Sequence, residues 1–342
     1  MAEIRSEEPP VIDFGPFYSS DPIAQKKLTS EIQEACEKFG FFQLVNHNIP
    51  VALQKSVIAQ SEAFFKLPLA TKEKYHKDLD GFNRGYEPLR AQNFEKRTRG
   101  DLKEGFYLGK NLSLDDPFVI AKRFGQGPNK YPAEIEDPKS FQSTMEEYHE
   151  SMTELAIDLL TVIEWTLGLE EGYFSSFCEK PVAALRLLHY PPQDPATAET
   201  ERGIGAHTDF GAVTMLLQDE TGGLQVWNDA SKGWVDVTPR SGAYVVNLGN
   251  MMMRWTNDRY LSNLHRVINR SGKERFSVPF FFSGNPDYVV ECLPRCMDPV
   301  EGAKYPPITV HDWMTGRFAD TYGSSKEGVM GDLRQNAVAE ST

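Results

Sequence analysis

The sequence predicts an α+β fold, in which a helical layer and an N-terminal α/β extension pack against a jelly-roll core. Apolar residues recur at steps of three and four in the first half of the chain, whereas they alternate with polar residues from residue 183 onward. The eight short strands expected there, with turn signals between them, are typical of a sandwich, jelly roll or barrel. Because the 342 residues contain no internal repeat and no low-complexity linker, we expect one compact domain.

The first helices are predicted from local signals near the N-terminus. Asp21 followed by Pro22 is a side-chain cap with proline in the first turn, and Gly40 is a natural end. The apolar segment 41–45 then predicts a buried strand, and Pro68 ends a second amphipathic helix. The apolar face of the first helix contains Leu28, Ile32, Ala35 and Phe39.

The rest of the chain divides into loops, one long helix and a series of strands. Residues 78–132 are rich in Gly, Asp, Asn, Arg and aromatic residues, which predicts loops and short strands. A helix is expected over 139–168, because its apolar residues step by four and three along one face. The strands with a period of two are ALRLLHYPP, AVTMLLQD, GLQVWN, GWVDVTP, AYVVNLG, LHRVIN, RFSVPFFFSG and DYVVECL.

Charge and cysteine content exclude several classes of partner and compartment. The formal net charge is −13 and no Lys/Arg-rich segment interrupts it, so we expect neither nucleic acid nor a membrane as a partner. Four cysteines are too few for a disulfide framework, and the polar start MAEIRSEEPP does not resemble a targeting peptide. No apolar run approaches the ~20 residues that cross a bilayer. We expect a cytoplasmic protein without an obligate protein partner.

A possible metal site begins with His207 and Asp209. If 207–217 is one extended strand, these two side chains point to the same face, because side chains alternate along a strand. His265, in another predicted strand of the same roll, is a third candidate ligand. Two histidines and one carboxylate form the facial arrangement that binds Fe(II) and leaves coordination positions open. The ligand set alone also allows catalytic zinc.

Arg275 and Ser277 predict a site for a carboxylate beside this metal. Their spacing of two places both on one face of a strand that continues as the apolar run VPFFF, which favours burial. A guanidinium supplies a planar fork of donors and a hydroxyl adds one more hydrogen bond. A metal with open positions and a carboxylate clamp together suggest that a small dicarboxylate chelates the metal.

These motifs resemble the iron(II)/2-oxoglutarate-dependent dioxygenase superfamily, in the branch that includes isopenicillin N synthase and plant flavonoid and gibberellin oxidases. The resemblance rests on HTD at 207–209, the distal histidine and RFS at 275–277, and it covers most of the chain. VIDFGPF, ACEKFGFFQLVNHNIP, RGYEPL and KEGFYLG are similar to the N-terminal region of that branch. One departure is Asn48, where relatives commonly have glycine.

The resemblance implies a double-stranded β-helix and a role for each matching residue. His207, Asp209 and His265 match the iron ligands, and Arg275 with Ser277 matches the pair that binds the distal carboxylate of 2-oxoglutarate. Tyr190 matches a tyrosine that also hydrogen-bonds this cosubstrate, although Leu188 stands where plant relatives often have asparagine. Arg186 shares the strand face of Tyr190. It either contacts 2-oxoglutarate or the substrate, or it is an ion-paired residue at the mouth of the strand.

The resemblance also implies a division of the chain and a reaction. We expect residues 1–125 to form the N-terminal region, 126–180 a supporting helix, 181–293 the jelly-roll core, and 294–342 a C-terminal helix and a mobile tail that begins at 323. The implied reaction uses Fe(II), 2-oxoglutarate and O2 to oxidise an unactivated C–H bond, by hydroxylation, desaturation or ring formation. Succinate and CO2 are the coproducts, and the setting is secondary metabolism.

Aromatic residues suggest that the substrate is a small, largely apolar or aromatic metabolite. The candidate pocket residues are Phe82, Tyr86, Phe106, Tyr107 and Phe281. Polar residues of the same loops that can meet a polar group of the substrate are Asn83, Arg84 and Arg90.

Two further functions stay open at this point. One is an oxidase of the isopenicillin N synthase type, which uses the same ligands without 2-oxoglutarate and clamps a carboxylate of its substrate. The other is a non-catalytic jelly-roll binding protein.

Overall fold

The computed structural model describes residues 8–94, 100–197 and 201–322, and within these ranges the chain forms fourteen strands and eight α-helices. The strands are β1 (Val11–Asp13), β2 (Phe41–Val45), β3 (Gly85–Glu87), β4 (Glu104–Gly109), β5 (Val182–Tyr190), β6 (Ile204–His207), β7 (Val213–Gln218), β8 (Leu224–Asn228), β9 (Gly233–Asp236), β10 (Tyr244–Leu248), β11 (His265–Val267), β12 (Arg275–Gly284), β13 (Val289–Val290) and β14 (Ile308–Thr309). The helices are α1 (Pro22–Lys38), α2 (Val51–Phe65), α3 (Leu69–Glu73), α4 (Pro117–Ile120), α5 (Pro138–Leu167), α6 (Ser175–Cys178), α7 (Asn250–Trp255) and α8 (Val310–Tyr322).

Two sheets face each other and form the jelly roll. The larger has eight strands in the order β1-β2-β10-β7-β12-β5-β4-β3, and the smaller has four in the order β6-β11-β8-β9. Apart from the parallel pair β1 and β2, neighbouring strands in both sheets are antiparallel. A cluster of buried side chains that includes Leu188, Leu224 and Val267 lies between the two sheets. This architecture confirms the predicted α+β class with a jelly-roll core.

The helical layer covers the outer face of the larger sheet. Helices α2 and α5 pack on β5 and β12, and α1 packs on α5. Asp137 caps α5, where its carboxylate accepts a hydrogen bond from the Ser140 amide at 2.9 Å. Gly168 ends α5 in the left-handed conformation at φ 61°, which glycine adopts without steric cost. The apolar face of α5 is buried against the sheet, as the periodicity of its sequence predicts.

Strand alternation separates the two faces of the larger sheet. Because paired residues of neighbouring strands point to the same side, Tyr107, Arg186 and Gly105 share the inner face with Leu188. Phe106 and its partner Leu187 point outward to the helices. The inner face therefore lines the space between the two sheets.

Two details of the predicted strands are wrong. The segment 207–217 is not one strand, because β6 ends at His207 and β7 begins at Val213, with a turn between them. The segment DYVVECL does not join the roll. Its two-residue strand β13 pairs with β14 in a separate sheet, since the chain has already left the roll toward α8.

Several other features of the described chain bear on the predictions. All four cysteines are free thiols. Among the described residues, no helix combines the length and the apolar character that crossing a membrane requires. The predicted mobile tail, 323–342, lies outside the described residues. Strands β1–β4, from the first 125 residues, extend the same sheet as the strands of the predicted core.

Candidate iron and 2-oxoglutarate site

Three buried side chains converge between the two sheets. His207 ends β6, Asp209 follows in the turn, and His265 begins β11 directly opposite His207 in the antiparallel pair. One ligand atom from each residue lies within 4.8 Å of the others. The Nε2 atoms of both histidines lie 3.8 Å from Oδ1 of Asp209. The three residues that sequence reasoning selected therefore surround one point.

Hydrogen bonds orient each of the three side chains toward that point. Nδ1 of His207 donates to the carbonyl oxygen of Gly205 at 2.8 Å, which directs Nε2 inward. Nδ1 of His265 is turned in the same way toward the Asn263 carbonyl oxygen at 3.3 Å. The Asn247 amide donates to Oδ2 of Asp209 at 2.7 Å and leaves Oδ1 facing the histidines. Such outer contacts set the tautomer and orientation of metal ligands.

Burial sets the protonation of the two groups nearest the turn. It lowers the pKa of His207 to about 3, and the neighbouring His265 adds to this effect. Burial by itself would raise the pKa of Asp209, but the two imidazoles and the Asn247 amide offset it, and the net shift is downward. Neutral imidazole and ionised carboxylate are the forms that bind a divalent cation, so at neutral pH the cation displaces no proton from either residue.

Two aromatic rings fix the imidazoles from outside. The Phe94 ring stacks on His207 at 4.4 Å between centroids and 9° between planes. The edge of Phe41 meets His265 at 5.2 Å. Both phenylalanines also line the cavity beside the triad, so they keep the ligand set in apolar surroundings.

Arg275 and Ser277 form a carboxylate site on the inner face of β12. Arg275 pairs with Tyr190 of β5, and its guanidinium carbon lies 4.7 Å from the Tyr190 ring centre. Nε of Arg275 donates to the Gly222 carbonyl oxygen at 2.7 Å, and Nη2 donates to the Gln218 side chain at 3.1 Å. Within the described ranges, Arg275 Nη1 and Ser277 Oγ are buried without a hydrogen-bond partner. A bound carboxylate would supply that partner.

Arg186 is ion-paired, as one of the two interpretations of the sequence expects, and it also faces the cavity. It lines the cavity, and its guanidinium stacks 4.5 Å from the ring centre of Tyr107. It is also ion-paired with Glu87 and donates to Gln92 at 3.3 Å. Burial alone would raise the pKa of Glu87, but Arg186 and Lys103 offset it, and the pKa lies well below its usual range. Ion pairing thus holds the Arg186 guanidinium in the cavity wall.

The empty space beside the triad amounts to about 1260 Å³, a figure that includes solvent outside the mouth of the cavity. Of the predicted pocket residues, Tyr107 and Phe281 line it. Other apolar residues of the wall are Phe124, Phe210, Met314 and Phe318.

Three predicted pocket residues are wrong. Tyr86 and Phe106 pair across β3 and β4, and both point to the outer face, where they contact Phe64. Each is next in the chain to a residue that points inward, Glu87 or Tyr107, and side chains alternate along a strand. Phe82 lies against Gly127, outside the cavity.

Of the three polar candidates in the same loops, two line the cavity and one does not. Asn83, at φ 55°, and Arg84 line the cavity. Arg90 instead forms an ion pair with Glu201 outside the cavity wall.

Sequence reasoning missed several residues of the site. Asn247 carried a usable signal, because it is the polar residue at an inward position of the apolar strand AYVVNLG. Glu87 also alternates inward, but its partner Arg186 is 99 residues away in the chain. Met314 and Phe318 belong to α8, and nothing in their local pattern distinguishes a helix that closes a cavity from one that covers a core.

Comparison with known proteins identifies the family. The model described as the 2OG-Fe(II) oxygenase superfamily matches residues 181–284, and the model described as the non-haem dioxygenase in morphine synthesis N-terminal matches residues 9–134. The chain is 50% identical over 332 residues to the 2-oxoglutarate-Fe(II) type oxidoreductase hxnY of Emericella nidulans. The matched region covers 97% of this chain and 95% of that protein. The chain belongs to the iron(II)/2-oxoglutarate-dependent oxygenase superfamily.

Other members of the superfamily agree with this assignment. The 2-oxoglutarate-dependent dioxygenase citB of Monascus ruber is 41% identical over 319 residues, which is 92% of this chain and 95% of that one. The crystal structure of a full-length Neurospora crassa protein in complex with alpha-KG and thymine matches with a TM-score of 0.81 at 29% identity, over 91% of this chain and 96% of that chain. The relatives' names support the 2-oxoglutarate-dependent function among the three that the sequence left open.

The described residues fit the cofactors of this oxygenase superfamily. The donor set of His207, Asp209 and His265 is the one that suits Fe(II) with open coordination positions. The unpartnered groups of Arg275 and Ser277 suit the distal carboxylate of 2-oxoglutarate. The protein is therefore an Fe(II)- and 2-oxoglutarate-dependent dioxygenase that uses O2 and acts on a small molecule.

We predict that Asn247→Ala weakens Fe(II) binding by roughly 10- to 100-fold, because Asp209 loses the donor that orients its carboxylate. The measurement is anaerobic titration of the protein with Fe(II). Asn228→Ala is the control, since the Asn228 side chain accepts hydrogen bonds from the backbone of the turn after β8 and does not line the cavity. Equal affinity of Asn247→Ala and the wild type would contradict the orienting role.

Proposed function

We propose that His207, Asp209 and His265 bind the ferrous ion, and that Arg275, Ser277 and Tyr190 bind the distal carboxylate of 2-oxoglutarate. The observation that carries this proposal is the buried convergence of three ligand atoms within 4.8 Å, inside a cavity that Tyr190 and Ser277 also line. Once bound, these groups would supply the oxidant, since O2 is reduced as 2-oxoglutarate is converted to succinate and CO2.

The residues of the chain position the reactants and exclude water. Asn247 and the two backbone carbonyls orient the three ligand side chains toward the point where iron would bind. Phe94 and Phe281 limit access of water to the centre of the cavity. The remaining wall holds one C–H bond of the substrate near the metal and keeps other bonds away.

The substrate proposed from this cavity is a small, largely apolar or aromatic metabolite. Phe281, Phe124 and Phe210 are among the aromatic residues that line the cavity. The related N. crassa structure contains thymine, a small planar molecule, which supports a substrate of this size. The outcome is hydroxylation, desaturation or ring formation, and we assign it to secondary metabolism.

The remaining parts of the proposal concern partners, location and chain organisation. The net charge of −13 supports a protein that binds neither nucleic acid nor anionic membranes, and we propose a cytoplasmic enzyme without an obligate protein partner. We retain the division into 1–125, 126–180, 181–293 and 294–342 as functional regions. Tyr107 from the first region and Met314 from the last both contribute to the cavity.

Succinate release tests the proposed reaction. Purified protein with Fe(II), ascorbate and 2-oxoglutarate is screened against small apolar and aromatic metabolites, and succinate is quantified. We expect at least one compound to raise succinate formation above the uncoupled rate, and His265→Ala to abolish the stimulation. Substrate oxidation that consumes O2 without succinate would instead indicate an oxidase of the isopenicillin N synthase type.

The clamp is tested by the dependence of turnover on 2-oxoglutarate. Charge-assisted hydrogen bonds contribute about 1.5–3 kcal/mol, so Arg275→Gln should raise the KM for 2-oxoglutarate by roughly 10- to 150-fold. Ser277→Ala removes a neutral donor and should raise it by roughly fivefold. The exposed residue Arg270 provides the control variant Arg270→Gln. If Arg275→Gln had an unchanged KM, the cosubstrate would bind elsewhere.

We also propose that Arg186 contacts the reactants in the cavity. Arg186→Met should lower kcat/KM for the substrate or for 2-oxoglutarate at least tenfold, and Glu87→Gln, which leaves the guanidinium in place, should have a smaller effect. Both variants disturb the same ion pair, so comparing their rates and unfolding transitions separates contact with a reactant from stability. Unchanged kinetics of Arg186→Met would leave Arg186 a purely structural role.

A further inference from the structure

A second buried guanidinium, that of Arg84, lies in the wall of the same cavity. Only 3% of the residue is exposed, and it precedes β3 directly. Its Nη2 donates to the carbonyl oxygen of Gly125, and its Nε is buried without a hydrogen-bond partner among the described residues. Asp80 is the acidic group near enough to act on its charge, but Asp80 forms its own ion pair with Lys130 at 3.1 Å.

Of the four buried arginines Arg84, Arg186, Arg275 and Arg317, the described chain pairs two with a carboxylate and leaves Arg84 and Arg275 without one. Arg186 is paired with Glu87, and Arg317 lies 3.9 Å from Asp320. The guanidinium of Arg275 is part of the site proposed for the distal carboxylate of 2-oxoglutarate. An uncompensated charge in the protein interior is strongly destabilising. Burial lowers the pKa of Arg84 to about 10, so the guanidinium still carries its charge at neutral pH.

The surrounding chain provides space for this guanidinium. A Cβ atom on Gly109 would lie 2.2 Å from Nη2 of Arg84, so the glycine leaves room for the guanidinium in its present position. The cavity wall around it is formed by Phe124, Val182 and Phe281. A cation that faces an apolar wall matches a ligand with one anionic group and an apolar or aromatic body.

Arg84 is too far from the clamp to serve the same carboxylate. Arg275 pairs with Tyr190 at one end of β5, whereas Gly109, beside Arg84, pairs with Ala184. Six residues along a strand span roughly 20 Å at about 3.3 Å per residue. A five-carbon diacid held at Arg275 does not extend over that length. The anion at Arg84 therefore belongs to another molecule.

We propose that Arg84 binds a carboxylate of the organic substrate, which makes the substrate class small apolar or aromatic carboxylic acids. This inference rests on the proposed function, because it takes the Arg84 end of the cavity as the substrate end. Arg84 is then a specificity-determining residue, since an uncharged analogue of the substrate leaves a buried guanidinium without an acceptor.

Matched pairs of an acid and its amide test this proposal. The probes are phenylacetate with phenylacetamide, and benzoate with benzamide. Binding is measured by anaerobic calorimetry with Fe(II) and saturating 2-oxoglutarate, so that the Arg275 clamp is already filled. We expect the wild type to bind at least one acid tenfold or more tightly than its amide. Equal binding within every pair, or no binding of either acid, would overturn the proposal without requiring any variant.

Substitutions assign the preference to Arg84. Arg84→Gln should reduce the acid-to-amide ratio to about 1, and Arg84→Lys should retain part of it because the charge remains. Arg123→Gln is the matched control, since Arg123 lies two residues from Gly125 but pairs with Asp287 outside the cavity. A ratio in Arg84→Gln equal to that of the wild type would also overturn the proposal. Separate assays of 2-oxoglutarate binding and succinate release show whether the oxygenase function itself has failed.

Discussion

The site depends on hydrogen bonds that orient three ligand side chains between the two sheets. Backbone carbonyls hold His207 and His265, and the Asn247 amide holds Asp209. Each bond satisfies one polar atom of its ligand residue and leaves the other facing the centre. Buried polar groups without partners destabilise a fold, so this arrangement both pre-forms the metal site and relies on the metal for full satisfaction.

Alternation along β3 and β4 keeps two charged networks apart. Glu87 points inward to Arg186, whereas Glu104 points outward, where it pairs with Lys72 at 2.7 Å and His189 at 2.8 Å. A shift of one residue in the register would exchange the two carboxylates and place the wrong one in the cavity. These short strands from the N-terminal third therefore determine the electrostatics of a site whose metal ligands all come from the second half of the chain.

The three guanidinium groups in and beside the cavity differ in their bonding partners. Arg275 is anchored by Gly222 and Gln218 and keeps one nitrogen for a ligand. Arg186 is ion-paired with Glu87, whose carboxylate also pairs with Lys77 and Lys103. Nε of Arg84 is buried and has no hydrogen-bond partner among the described residues. In a protein with a net charge of −13, an uncompensated buried cation at the substrate end is the feature that favours an anionic substrate.

The sequence by itself determined the elements with strong local signals, such as the helix Pro138–Leu167, and the motif residues whose chemistry is unusual for a core, namely His207, Asp209 and His265. Local signals suffice for the helix because caps and periodicity depend on short-range sequence, whereas the ligands were selected by residue type and by the family motif. Only the tertiary structure decided that Tyr86 and Phe106 face the helices and that Glu87 pairs with Arg186. Those outcomes depend on strand register and on pairing between residues far apart in the chain, which no local pattern encodes.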